Sequence, residues 1–180
     1  MTSELLDRAL VEEATKKSGL IWVQGAPSAS AADGRGAPAR ALWHVWHEGA
    51  ACVVGDGPGE QPLPGLVDGG AAVVTVRSKD KGGRIVTWPA TVVELRPDSP
   101  EWEDTVAQLK GKRLNATDGE EMPGRWRREC RVVRLVPRGT TLPLPSDAQA
   151  AAPVPTPATT RRPIPAALPR LLRRGRKRQR

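Results

Sequence analysis

The chain has 180 residues, 38% of them hydrophobic, with six Trp and neither Phe nor Tyr, and a formal charge of +8. That length fits one domain of ordinary size, whose interior must be filled by Val, Leu, Ala and Trp. Nine Arg or Lys and no acid lie in residues 161–180, leaving 19 basic and 20 acidic side chains in the other 160. Basicity therefore argues for a polyanion partner only at the tail.

The heavy use of Ala, Gly, Pro and Arg suggests a GC-rich, bacterial genome. Met1 to Lys17 is charged and has no continuous apolar core, unlike a signal peptide. No apolar run approaches the roughly 20 residues that span a bilayer. Cys52 and Cys130 show neither a disulfide framework nor metal-ligand spacing, and both fall in expected strands. Free buried thiols in a reducing cytoplasm are the expectation.

In chain order, Thr2 or Ser3 can cap a first helix whose apolar face is Leu5, Leu6, Ala9, Leu10 and Ala14. Ser18-Gly19 ends it. Leu20–Val23 reads as a strand, and Gly25–Arg40 as a loop. Ala41–His47 and Ala51–Val54 form a strand pair across Glu48-Gly49-Ala50. A long Gly/Pro loop occupies 55–70.

Val73–Val76 and Ile85–Leu95 make a hairpin of β-branched runs. Its turn carries Arg77, Ser78 and Lys79 on consecutive residues, with Arg84 at the far side. A guanidinium, a hydroxyl and an ammonium can hold a phosphate; the same residues also suit a solvated hairpin tip. Ser99-Pro100-Glu101 opens a second helix, with Trp102, Val106 and Leu109 on one face and an end near Gly111. Residues 113–125 read as irregular, and Glu129–Pro137 as the last strand. The organisation expected is a domain over 1–138, a Pro/Ala/Thr-rich disordered linker over 139–160 and a basic tail over 161–180. Strands apolar on both faces must be covered or closed on themselves. The fold class expected is mainly β with flanking helices, a small antiparallel barrel.

Several motifs fail on inspection. Gly55-Asp56-Gly57-Pro58-Gly59-Glu60 has Glu60 where a dinucleotide loop needs Gly, and no Lys-Ser or Lys-Thr follows, so its glycines read as turn residues. His44 and His47, three apart on a strand, point to opposite faces and have no third metal ligand. There is no nucleophile elbow. Cys52 sits in an apolar strand and reads as inert. Glu120-Glu121 lies in a polar loop. Trp22 and Trp102 read as core, Trp43, Trp46 and Trp88 as possible pocket walls, and Trp126 among arginines as a surface residue stacked by them. His44 reads as a half-buried wall residue or a stacking platform.

With these elements laid out, the body resembles the flavin-binding split β-barrel proteins, which include pyridoxamine-phosphate-oxidase-like and deazaflavin-dependent reductases. The likeness spans about residues 3–137. It is carried by the helix leading into Ser18-Gly19-Leu20-Ile21-Trp22-Val23, the strand Ala41–Trp46 and the loop Gly59–Gly65. The run Val76-Arg77-Ser78-Lys79-Asp80, the helix Pro100–Leu109 and the strand Arg131–Pro137 complete it. The resemblance implies a cytoplasmic homodimer with FMN or a deazaflavin across the subunit interface and hydride transfer to a small organic substrate. Arg77, Ser78 and Lys79 would hold the phosphate, with Arg84 in place of the family's second basic residue, which the sequence otherwise lacks. Trp43, His44 and Trp88 would lie near the ring system. The alternative is a non-enzymatic dimeric binding module tethered by its tail to nucleic acid or another polyanion. Nine charges bind polyanions without sequence preference, and attract anionic membranes as well.

Overall fold

The computed structural model describes residues 2–26, 38–80, 82–114, 116 and 118–143. Most of the expected linker and all of the basic tail lie outside the described residues. No helix among them is long and apolar enough to cross a membrane.

The elements run α1 (Thr2–Lys17), β1 (Leu20–Gly25), β2 (Arg40–Trp43), β3 (Val45–His47), β4 (Ala50–Gly55), β5 (Ala71–Arg77), β6 (Arg84–Glu94), α2 (Pro100–Lys112), α3 (Met122–Glu129) and β7 (Arg131–Pro137). The seven strands form one sheet in the order β2-β1-β5-β6-β7-β4-β3. Every pairing is antiparallel.

The strand expected over Ala41–His47 is two strands broken at His44. β2 pairs with β1 and β3 with β4, so these chain neighbours sit at opposite ends of the sheet. One residue joins the two ends, and the sheet must curl until its edges meet. The core records the curl: Leu42 of β2, Val74 and Val76 of β5, Trp88 of β6 and Val53 of β4 belong to one buried cluster. Alternate residues supply it, as the period of a strand requires. The architecture is a curled antiparallel barrel with flanking helices, the fold class expected from strands apolar on both faces.

The opposite face of β4 and β7 is covered by α2 and α3. Cys52, Val54 and Val132 pack there against Trp102, Val106, Leu109, Met122 and Trp126. All six residues of β4 are therefore buried. α2 starts as expected: the Ser99 hydroxyl accepts from Trp102 N at 3.1 Å.

Four expectations are corrected. α3 falls in the stretch read as irregular, because Met122 and Trp126, spaced i and i+4, give it a buried face. Trp126 is fully buried, not a surface residue. Cys130 ends α3 and does not lie in a strand, and β7 begins at Arg131. α1 turns Val11 and Thr15 to the barrel and leaves Leu5 and Leu6 68% and 69% exposed. Of the apolar face expected on that helix, Leu5, Leu6, Ala9 and Leu10 are exposed and only Ala14 packs against the core.

Candidate functional site

A groove of about 430 Å³ lies between α1 and the β5–β6 hairpin. Its apolar wall is Leu10, Ala14, Val76 and Ile85; Arg77, Ser78, Lys79 and Asp80 approach from the hairpin, and Glu13, Lys17 and Ser18 from the helix end. The volume is that of a small-molecule site. The hairpin places these side chains by its register. Val76 pairs with Val86 and Arg77 with Arg84, with an irregularity between Val76 and Arg77. Beyond it, Ser78 N donates to Gly83 O at 2.8 Å and Gly82 N to Ser78 O at 3.1 Å, closing the turn. Gly82 takes φ 65°, a conformation that glycine reaches without a Cβ penalty.

Arg77 is oriented by Trp22. Its guanidinium carbon lies 4.6 Å from the indole centroid, a cation–π contact on the outer face of the sheet. Trp22 is thus half-buried beneath an arginine rather than a core residue. The Ser78 hydroxyl accepts from Asp80 N at 3.3 Å and keeps its own proton to donate. Arg84 is exposed and directly across the ladder from Arg77. Three of the residues singled out in the sequence, Arg77, Ser78 and Lys79, therefore share one groove. Lys17 joins them; it belongs to the helix end, where no strand motif could reveal it.

Trp43, His44 and Trp88 do not line that groove. Trp43 packs against Trp126, with ring centroids 6.5 Å apart, and under Arg113 at 5.6 Å. His44 is 5% exposed, not half-buried. Its Nε2 donates to Thr15 O of α1 at 3.0 Å, and burial lowers its pKa to about 4. Trp88 is 1% exposed. It meets Trp46 edge-on at 6.3 Å and borders a separate cavity of about 170 Å³ beside Glu4, Asp7 and Arg8.

The Gly/Pro loop after β4 has a definite role. The Glu60 carboxylate is wholly buried and accepts from Trp126 Nε1 at 2.9 Å and Arg125 Nη2 at 3.2 Å. Arg113 Nε is 3.3 Å away as an ion pair. Arg125 also grips Asp118 at 2.6 Å and Pro58 O at 2.7 Å, which holds the Asp118 carboxyl below its usual range. A loop read for its glycines is fastened by its one glutamate.

Acid–base and nucleophilic chemistry find little here. Burial pushes the Cys52 thiol up to about 11, so it stays protonated. Among the described residues no group of three His, Cys, Asp or Glu is placed to hold a metal. A site with three basic residues beside an apolar wall suits binding and orienting an anion.

No protein-family model and no curated protein matches the sequence. Solved structures do match in shape. The heme storage protein HutZ of Vibrio cholerae superposes with a TM-score of 0.53 at 16% identity, over 73% of this chain and 90% of that one. A conserved hypothetical protein of Mycobacterium tuberculosis gives 0.53 at 13%, over 84% and 98%. At such identities the likeness is one of fold: the chain has a split-barrel-like fold.

Proposed function

We propose that this barrel binds FMN or a deazaflavin in the groove between α1 and the β5–β6 hairpin, as a cytoplasmic oxidoreductase acting on a small organic substrate. One observation carries the reading: Arg77, Ser78 and Lys79 reach the same groove, beside an apolar wall. A fork of donors, a hydroxyl and a point charge suit a phosphate, and Leu10, Val76 and Ile85 suit one face of a ring. The bound flavin would supply hydride transfer. The chain's own residues would anchor the phosphate, orient the ring and exclude water from the apolar side. The name of the Vibrio neighbour, a heme storage protein, supports cofactor binding by this fold in general terms. The leucines of α1 support a homodimer, since Leu5, Leu6 and Leu10 leave apolar side chains exposed.

The test is an absorption titration of the purified chain with FMN and with a deazaflavin. A bound chromophore is expected, with affinity about 10-fold lower in Arg77→Ala and in Lys79→Ala, the loss of one charge-assisted contact each. No spectral change at cofactor concentrations up to the millimolar range removes the reading.

A further inference from the structure

A ring cofactor can be gripped in two ways: by a side chain bonded to a central metal, or through its anionic groups and apolar face. Haem iron is held by His, Cys, Met or Tyr. This chain has two His, two Cys, two Met and no Tyr. Met1 lies outside the described residues. His44 is buried and committed to Thr15 O. Cys52 and Met122 are buried, at 0% and 2% exposure. Cys130 packs against Gly57 and lies beside Arg125. His47 sits on β3, at the sheet end away from the hairpin. None of these side chains lines the groove or the cavity beside Trp88.

The second grip is well supplied. Lys17, Arg77 and Lys79 line the groove beside Leu10, Val76 and Ile85, with the Arg77 guanidinium stacked on Trp22. Lys17 Nζ is 2.9 Å from Glu13 Oε2, and the two side chains are 79% and 60% exposed. Exposed pairs of this kind are held weakly, so a ligand anion can take the place of Glu13.

We propose that the groove holds its ligand only as an organic anion with a flat apolar body, through Lys17, Arg77 and Lys79, with Glu13 as an internal competitor, and forms no bond to haem iron. The proposal rests on the cofactor reading above and makes it narrower.

FMN and hemin are titrated separately into the full chain and into Lys17→Ala and Glu13→Gln, with flavin fluorescence anisotropy and the Soret band as readouts. FMN affinity is expected to fall about 5-fold in Lys17→Ala and to rise about 2-fold in Glu13→Gln, with both effects shrinking at high salt. Hemin is expected to give no spectrum of nitrogen- or sulfur-ligated iron. A ligated Soret band that His47→Ala or His44→Ala abolishes overturns the proposal and leaves cofactor binding standing. FMN binding indifferent to both Lys17 and Glu13 also overturns it. Absence of binding by either cofactor removes the proposal and the reading beneath it.

Discussion

His44 shows how a residue that looks like a ligand can serve the fold. Its neutral Nε2–H ties the bend between β2 and β3 to the Thr15 carbonyl of α1, while Nδ1 is buried with no partner. A proton on Nδ1 would add a charge and a second donor with nothing to receive it, which is why burial lowers the pKa from 6.5 to about 4. The sign follows: below pH 6.5 the unfolded chain takes up a proton that the folded one refuses. Stability is full above that pH and is lost as pH falls toward 4, by up to about 3 kcal/mol. Denaturant melts at pH 7.5 and 4.5 should show the loss. His44→Gln, whose amide can donate to the same carbonyl, should remove most of the difference; an unchanged pH dependence in that variant would assign it elsewhere. The residue types at 44 and 47 were readable from the sequence, but their burial was not, because it depends on where α1 docks.

At the scale of elements, what could be read depended on whether the signal was local. α2 was readable from Ser99-Pro100-Glu101, since a cap, a proline and an acid act within one turn. The β5–β6 hairpin was readable from its β-branched runs. α3 was not: it is short, Gly124 weakens its propensity, and its stability comes from burying Met122 and Trp126 against α2 and the outer face of β4 and β7. The outward face of α1 was misread because periodicity marks an apolar stripe without saying what covers it. Of the groove, the hairpin's share was visible as consecutive polar residues; Lys17 was not, because only the fold brings the helix end to the hairpin.

The loop that caps α3 has a testable close approach. A Cβ on Gly57 would overlap Cys130 Sγ and crowd the Glu129 carbonyl at 2.5 Å. The backbone side of that contact cannot rotate away. Gly57→Ala should cost about 1–3 kcal/mol, as overpacking does, and should loosen the Glu60 anchor. The expected readouts are a lower denaturation midpoint and a changed tryptophan emission, since Trp126 loses its carboxylate partner. A midpoint within error of the parent would mean that the loop is free to shift.

Closure of the whole molecule depends on a seam. The two ends of the sheet are consecutive in the chain, yet β2 and β3 are hydrogen-bonded to different neighbours, so backbone groups at the bend need other partners. Gln61 supplies them. Its Oε1 accepts from Trp43 N at 2.9 Å, and its Nε2 donates to Trp43 O at 2.9 Å and to Val54 O at 3.2 Å. One side-chain amide thus joins β2 to β4 across the gap, and the bridge from Gly55 to Gln61 holds that amide in place. Gly55 permits it, because a Cβ there would collide with the Gln61 carbonyl. Gln61→Ala leaves three part-buried backbone groups to water and should cost about 2–3 kcal/mol. The effect should be concentrated at the seam: hydrogen exchange at Trp43 N should accelerate by at least about 10-fold, while β5–β6 amides such as Val74 follow only the global loss of stability. Equal acceleration at both places would make Gln61 an ordinary stabilising contact. Unchanged exchange at Trp43 would show that the barrel closes without it, and that the curl is set by the shared core of β2, β4 and β5 alone.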